Sequence, residues 1–507
     1  MLTYILKRLG STVLILFGAT LISFVMVINS GDPLADLREI QDENVEFLMQ
    51  ERIDRMMLDQ PWYVRYWDWL SGILGCFTGS CDFGVTVGGQ QVTPLIMAAA
   101  EQSLRLVFVA TIIAIVVGIL TGIVTAMRQY SLLDYVVTFF IFLFFSLPVF
   151  WAAVLAKEWL AIRFNDWMLD PHFTWPNIFT LAALLAVVVP LILGGDAQRR
   201  IITGAIMFAF VCAVLPWMDA VSFMERPRLG APLIIVLALG LAAGFTALIA
   251  GIRNRRVLYS TLAVVAAGVV GYYATWGVLQ DPPGGWLFLG SLFLLTIAIC
   301  VVIGRSVGGY ARGQATAASV LTGVLMSALI LLDHFMYHWP QLLSLKPRPV
   351  RTIGSHTPNL EGDFWVTALD QISQLWMPSI LMALLSLATY TRYTRSSMLE
   401  VQKQDYIRTA RAKGVAERTV VLKHAFRNAM IPLVTIVAFD FAALISGSVV
   451  VEQVFGWNAM GNLFITGLNL TDPAPVMAFI IVTGTVAVLF NLMADILYAV
   501  LDPRIRV

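Results

Sequence analysis

Long unbroken apolar runs restrict the folds open to this chain of 507 residues. Several of them exceed the roughly 18 apolar residues that mark a helix able to cross a bilayer. Charged residues make up 13% of the chain, whereas a soluble domain carries roughly 25%. Barrel strands would be short and alternating rather than continuously apolar, so a transmembrane barrel is excluded. The sequence therefore predicts an all-α polytopic membrane protein.

Twelve candidate spans follow from the apolar runs. Their approximate bounds are 10–29, 104–126, 135–161, 178–195, 201–218, 231–251, 257–279, 286–304, 315–335, 375–391, 430–451 and 476–499. Basic residues recur at the N-terminus, in every second loop and at the C-terminus: Lys7, Arg8, Arg128, Arg199, Arg200, Arg253, Arg255, Arg256, Arg305, Arg312, Arg504 and Arg506. Cytoplasmic loops are enriched in Lys and Arg, so this pattern predicts that both termini lie in the cytoplasm.

The strongest concentration of positive charge lies between residues 392 and 427, which we call the basic segment. It contains nine Lys and Arg residues against three acids, and it lies between two candidate spans. Two interpretations stay open at this point. The segment either fixes membrane topology by its charge alone, or forms a folded cytoplasmic element around Gly414 that another protein grips.

Motifs for nucleotide binding and for zinc-protease catalysis are absent from the sequence. No Gly-Lys dipeptide occurs, so the chain has no nucleotide-binding P-loop, and the zinc-protease motif H-E-x-x-H is absent too. His334 and His338 stand four residues apart beside Asp333, but we interpret them as an interfacial helix end rather than a metal site. The net charge of +1 gives no indication of a nucleic-acid partner. We expect no catalytic, cofactor or metal site in this chain.

Three further features predict structural or functional roles. Asp440 lies in the middle of an apolar run, and it is either a polar residue on a translocation pathway or a protonated partner in an interhelical hydrogen bond. Pro148 should kink the third span because proline lacks the backbone donor. Cys76 and Cys81 lie in the same outer region, and they either form a small disulfide or stay free thiols.

Five ordered stretches resemble the permease subunits of bacterial ABC importers, most closely the dipeptide, oligopeptide and nickel permease family. The main one is the basic segment, RYTRSSMLEVQKQDYIRTARAKG from Arg392 followed by LKHAFRNAMIP. The others are the first span with Gly-Asp-Pro after it, LDQPWYVRYWDWL with Asp-Phe-Gly after it, SLPVFW, and VEQVFGW with DILYAVLDPRIRV. Together they cover about 1–165 and 370–507.

The resemblance implies a non-catalytic subunit with the fold of a type I importer permease. Its expected partners are a homologous second permease, two ABC ATPase subunits that hold ATP and Mg, an extracytoplasmic substrate-binding protein, and the lipid bilayer of the bacterial inner membrane. It also implies that a coupling helix docks on an ATPase, with Ala410 and Ala412 packing and Gly414 as a left-handed cap. The residues carried over for docking are Asp405, Tyr406, Arg408, Thr409, Ala410, Arg411, Ala412, Lys413, Gly414 and Arg418.

The resemblance breaks between the third and tenth spans, which predicts three regions. Residues 1–165 and 370–507 would form a permease core of six spans, and residues 166–369 an inserted region with about six more. The expected function is import of peptides or similar small solutes. The main alternative is a secondary transporter driven by an ion gradient, which twelve spans would also fit, although no internal repeat is detectable. A membrane-embedded enzyme is a weaker alternative because catalytic residues are missing.

Overall fold

The computed structural model describes residues 2–39, 44–415 and 417–501, and these ranges are almost entirely helical. Within them, the only β-type pairing is a single antiparallel bridge between Val85 and Gln91. The helices are α1 Leu2–Ile28, α2 Ala35–Arg38, α3 Val45–Met56, α4 Trp62–Leu74, α5 Val92–Met127, α6 Leu132–Ser146, α7 Val149–Ala156, α8 Arg163–Met168, α9 Trp175–Leu193, α10 Ala197–Ala220, α11 Gly230–Ile249, α12 Arg255–Gln280, α13 Trp286–Val307, α14 Arg312–Leu345, α15 Phe364–Gln402, α16 Asp405–Ala412, α17 Glu417–Thr419, α18 Phe426–Phe455, α19 Met460–Asn469 and α20 Pro473–Leu501. The prediction of an all-α protein is confirmed.

Backbone contacts divide the chain into two units. One comprises the described parts of Met1–Leu160, Thr352–Ser355 and Gln374–Val507, and the other comprises Ala161–Arg351 and His356–Ser373. The predicted division at about 165 and 370 concerned which residues form a permease core, and it stays a prediction.

In the first unit, helix α4 covers α1 and α20. Tyr66 and Trp69 of α4 form a buried cluster with Phe24 and Met477, and the hydroxyls of Tyr66 and Thr20 lie 2.9 Å apart. Burial of large aromatic side chains contributes strongly to such packing. The aromatic-rich stretch therefore packs as an amphipathic helix on the membrane helices.

In the second unit, α9 and α10 form an antiparallel pair, and α11 to α14 form a bundle. Ala238 and Ala242 of α11 lie in a buried cluster with Val265 and Met326, where small residues permit close helix approach. The α11–α12 and α13–α14 turns meet, since Tyr310 Oη lies 3.4 Å from Asn254 Oδ1. The arginines beside these two turns therefore lie at the same end of the bundle.

Nine helices in the described ranges are long and apolar enough to cross a membrane. They coincide with nine of the twelve predicted spans. The predicted spans at 10–29 and 430–451 coincide with α1 and α18, which are not among the nine. The side chains of Lys7 and Arg8, and residues Arg504 and Arg506, lie outside what the structure describes, so the predicted cytoplasmic placement of both termini stays a prediction.

The third predicted span differs from expectation. Instead of one kinked helix, the chain forms two helical runs, Leu132–Ser146 and Val149–Met168, bent by 104°. Leu147 has ψ 128° and Pro148 has ψ 130°, so both leave the helical region. Proline removes a helix donor and also disfavours the helical conformation of the residue before it. The sequence therefore located the break correctly but underestimated its size.

Candidate functional site

The basic segment folds into a compact helical element between two long helices. α15 ends at Gln402, and the chain continues through α16, α17 and a π-helix, Val420–Ala425, into α18. Gln404 has ψ 148°, an extended conformation that separates α16 from α15. This part of the chain is therefore a structured connection.

Gly414 ends α16 in the left-handed region, with φ 74°. The Gly414 N–H donates to the Arg411 carbonyl over 2.9 Å, and the Val415 N–H donates to the Ala410 carbonyl over 3.3 Å. These two bonds form a Schellman motif, in which glycine commonly takes the left-handed position. A Cβ at Gly414 would meet no atom within 4 Å, so the requirement for glycine comes from the backbone conformation rather than from crowding.

Ile407 anchors α16 to the protein. Its side chain is fully buried in a cluster with Met398, Val421, Ala425 and Ala429, which belong to α15, the π-helix and α18. Sequence reasoning overlooked this residue. The signal was present, because Ile407 is the one large aliphatic residue in the helix DYIRTARA.

The opposite surface of α16 is open to solvent. The predicted docking residues that are exposed are Asp405, Tyr406, Arg408, Thr409, Arg411, Ala412, Lys413 and Gly414. The two alanines separate: Ala410 packs against the Ile407 cluster, whereas Ala412 is exposed. Residues two apart do not share a helix face, which explains the difference. The side chain of Arg418 lies outside the described part of the structure.

Ion pairs organise the charge on this surface. Arg411 donates to both carboxylate oxygens of Glu417 at 2.6 to 3.2 Å, and Arg408 lies 3.6 Å from Asp405. The hydrogen bonds from Arg411 hold the pKa of the Glu417 carboxyl below its ordinary value. Because both pairs are exposed, they contribute little stability and mainly orient the side chains.

Polar contacts connect the element to the membrane helices. Asn428 Nδ2 of α18 donates to Tyr406 Oη over 2.8 Å, and Ser397 Oγ of α15 donates to the Ala429 carbonyl over 3.0 Å. Farther along α15, Arg395 Nη2 lies 2.8 Å from Asp134 Oδ2 at the start of α6. α16 therefore contacts α18, α18 contacts α15, and α15 contacts α6.

α15 also packs tightly on α5. An added Cβ at Gly118 would lie 2.6 Å from Tyr390 Cβ, and one at Gly122 would lie 2.5 Å from Thr394 Cβ. The small-residue spacing of these glycines thus marks a real close contact between helices.

Asp440 lies in α18 and Pro148 lies directly before α7. Asp440 Oδ2 accepts a hydrogen bond from Tyr390 Oη over 2.8 Å. Pro148 is exposed and precedes the first residue of α7 at the sharp bend. A role for either residue in a translocation pathway stays a prediction.

A disulfide joins Cys76 and Cys81 between α4 and α5, and a buried carboxylate that sequence reasoning overlooked lies near the same segment. Asp472 Oδ2 accepts from the Val87 N–H over 2.7 Å, and Arg55 Nη1 donates to the Val87 carbonyl over 3.3 Å. The short turn around Val87 is thereby held between α3 and the start of α20.

A second overlooked carboxylate, Glu452, lies near the C-terminal end of α18. It is fully buried and accepts from Ser103 Oγ and Ser448 Oγ over 2.7 Å each and from the Gly461 N–H over 2.6 Å. These bonds join α5, α18 and α19, as a buried carboxylate requires several donors. Glu452 belongs to VEQVFGW, so that stretch has a packing function.

The C-terminal region of the chain is similar to known membrane transport proteins. A family model described as the binding-protein-dependent transport system inner membrane component matches residues 363–507. The oligopeptide transport system permease protein OppB of Mycobacterium tuberculosis is 42% identical over 154 residues, which are 30% of this chain and 47% of that protein. The permease protein AppB of Bacillus subtilis, also of an oligopeptide transport system, is 45% identical over 155 residues, 31% of this chain and 48% of that protein.

The dipeptide transport system permease protein DppB of Escherichia coli is 41% identical over 146 residues, 29% of this chain and 42% of that protein. Each match therefore spans less than half the length of the relative. The matched region contains α15 to α20, and hence the α16 element. Residues 363–507 are therefore similar to the inner membrane component of binding-protein-dependent transport systems, and the chain is a multi-pass protein of the bacterial inner membrane.

Proposed function

We propose that this chain is the transmembrane permease subunit of an ATP-driven ABC importer and forms half of a translocation pathway for peptides or similar small solutes. The observation that carries this proposal is α16, a capped helix with a buried anchor at Ile407 and an exposed opposite face, held between two long helices of the matched region. The names of the similar proteins support peptides as the substrate class.

In this proposal the chain is non-catalytic. Two partner ATPases bind ATP and Mg and grip α16, a homologous second permease completes the pathway, and a substrate-binding protein delivers the solute from outside. ATP-driven closure of the ATPases moves α16, and the Ile407 cluster passes that movement to α15 and α18. A rigid element with two positions is a general device for such coupling.

Transport by the assembled complex tests the proposal. The full chain, the second permease and the ATPases are reconstituted in proteoliposomes, with the binding protein outside and ATP inside, and uptake of radiolabelled trialanine is measured. We expect uptake that requires ATP and persists when an ionophore removes the ion gradients. Uptake by this chain alone, driven by a gradient without ATP, would establish the secondary-transporter alternative instead.

Variants at Gly414 connect the transport result to α16. Gly414→Val forces a β-branched residue into the left-handed region, which should distort the cap and lower uptake and ATP hydrolysis together. Gly414→Asn is the matched control because asparagine tolerates this conformation, so it should retain most activity. Equal activity of Gly414→Val and the natural chain would show that α16 has no part in the transport mechanism.

A further inference from the structure

The second unit encloses a cavity of about 540 Å³ between α12, α13 and α14. This volume lies within the range of small-molecule sites. Phe293, Leu295 and Ile299 of α13 line the cavity and are also 42%, 54% and 43% exposed, so the cavity opens at an apolar surface. Because α13 is a candidate membrane span, a ligand would enter from the bilayer.

Glycines create much of this space. Gly271 of α12 and Gly290 of α13 line the cavity, and an added Cβ at either would meet no atom within 4 Å. Protein interiors are normally packed with few voids larger than a water molecule. The missing side chains therefore leave room for a ligand between α12 and α13.

The imidazole of His334 is a polar group in the wall of this apolar cavity. It lines the cavity, is 1% exposed, and lies between the rings of Trp276 and Trp365 at centroid distances of 4.7 and 5.3 Å. Neither ring nitrogen has a hydrogen-bond partner among the described residues. Buried polar groups are nearly always hydrogen-bonded, so the two nitrogens indicate a partner outside the protein.

The hydroxyl groups at the cavity already have partners. Thr275, Thr296 and Ser327 each donate to the backbone carbonyl four residues earlier in their own helix. Tyr272 Oη donates to Asp333 Oδ2 over 2.9 Å. Among the described residues that line the cavity, His334 is therefore the buried side chain with two unpartnered nitrogens that can hydrogen-bond to a ligand.

We propose that this cavity binds a membrane amphiphile with a long apolar chain and one uncharged oxygen, a hydroxyl or carbonyl, which hydrogen-bonds to His334. The apolar walls disfavour a charged head group, since burying an unpaired charge is costly. A neutral imidazole offers one N–H donor, from which a hydroxyl or carbonyl oxygen can accept, and one acceptor nitrogen, to which a hydroxyl can donate. This inference is independent of the proposed transport function.

Photolabelling of the full chain in lipid nanodiscs tests the site. The probe is hexadecanol carrying a photoreactive diazirine on its chain, and the labelled peptides are identified by mass spectrometry. We expect labelling concentrated in α12 to α14 and reduced severalfold by Gly271→Leu, which fills the cavity from α12. Gly240→Leu on α11 is the matched control, because its added Cβ also meets no atom within 4 Å and Gly240 does not line the cavity.

Competition identifies the polar contact. Unlabelled hexadecanol should displace the probe better than hexadecane. His334→Phe should reduce the ratio of their potencies roughly fivefold, which corresponds to the loss of one net hydrogen bond. If Gly271→Leu fails to fold, Gly290→Leu fills the same space from α13. Labelling spread over all exposed apolar faces and unchanged by either glycine variant would overturn the proposal. An alcohol preference that survives His334→Phe would overturn it equally.

Discussion

Tyr390 Oη donates a hydrogen bond to Asp440 Oδ2 over 2.8 Å and thereby joins α15 to α18, the two helices that flank the basic segment. Tyr390 is fully buried. The bond is interhelical, with the Asp440 carboxyl as its acceptor, and a role for Asp440 on a translocation pathway stays a prediction. In the proposed mechanism, movement of α16 reaches α15 and α18, and this bond joins those two helices.

Tyr390→Phe removes this hydrogen bond while keeping the ring. We expect the free energy of unfolding to fall by about 1–3 kcal/mol, because Asp440 loses a donor at a partly buried position. Thermal unfolding of the purified chain in detergent measures the change. Tyr393→Phe is the control, because Tyr393 is 45% exposed on the same helix and should change stability little. Equal stability of the two variants would show that the bond contributes nothing.

Gly118→Ala tests the contact of α5 with α15. Helix propensity alone favours alanine over glycine by up to about 1 kcal/mol. The added Cβ would lie 2.6 Å from Tyr390 Cβ, so we expect a net loss of about 1–3 kcal/mol from overpacking. Gly244→Ala on α11 has open space around its Cβ and should be neutral or stabilising. A stabilising Gly118→Ala would mean that the helices lie farther apart.

Sequence patterns show which residues can form a helix or a close helix face, but they do not show which distant residues pack against it. Gly118 and Gly122 stand four residues apart, and this spacing of small residues, which permits close helix contact, is visible in the sequence. It could not identify Tyr390 and Thr394 as the residues that occupy the face, since that depends on packing between distant segments.

The same limit applies to α16. The family resemblance implied the helix and its glycine cap, but sequence reasoning overlooked Ile407, whose partners come from α5, α15, the π-helix and α18. The buried carboxylates Asp472 and Glu452 were overlooked for the same reason, because their donors Val87 and Ser103 lie more than 300 residues away. Local patterns predict elements, whereas the partners of buried polar groups require the tertiary structure.

Asp472 should make stability depend on pH. Burial raises the pKa of its carboxyl from 3.8 to about 6, although the backbone N–H groups of Val87 and Ala474 favour the anion. The folded state then binds the proton more tightly than the unfolded state. Its contribution, roughly 3 kcal/mol, is present below pH 4 and is lost as pH rises through 6.

Asp472→Asn isolates this effect, because asparagine has similar size and does not titrate. Thermal midpoints of both proteins are measured between pH 4 and 7.5. We expect the natural chain to lose stability relative to Asp472→Asn as pH rises. Parallel curves would show that the Asp472 carboxyl has the same pKa in both states.

The disulfide between Cys76 and Cys81 predicts the compartment of the segment after α4. Disulfides persist in oxidising compartments, so this segment should be extracytoplasmic. Alkylation of the denatured chain should modify two thiols without reductant, Cys212 and Cys300, and four after reduction. The double variant Cys76→Ser/Cys81→Ser should give two under both conditions. Four reactive thiols before reduction would contradict this placement.

Cross-linking from Ala412 tests the central claim, that an ATPase grips the exposed face of α16. Ala412→Cys places a thiol on that face, and Gln60→Cys places one in the exposed turn between α3 and α4 as the control. In the assembled importer with a thiol-to-amine cross-linker, we predict that Ala412→Cys links to an ATPase subunit, with a yield that changes on ATP addition, and that Gln60→Cys does not. An intact complex in which Ala412→Cys forms no link, or in which only Gln60→Cys does, would contradict the account.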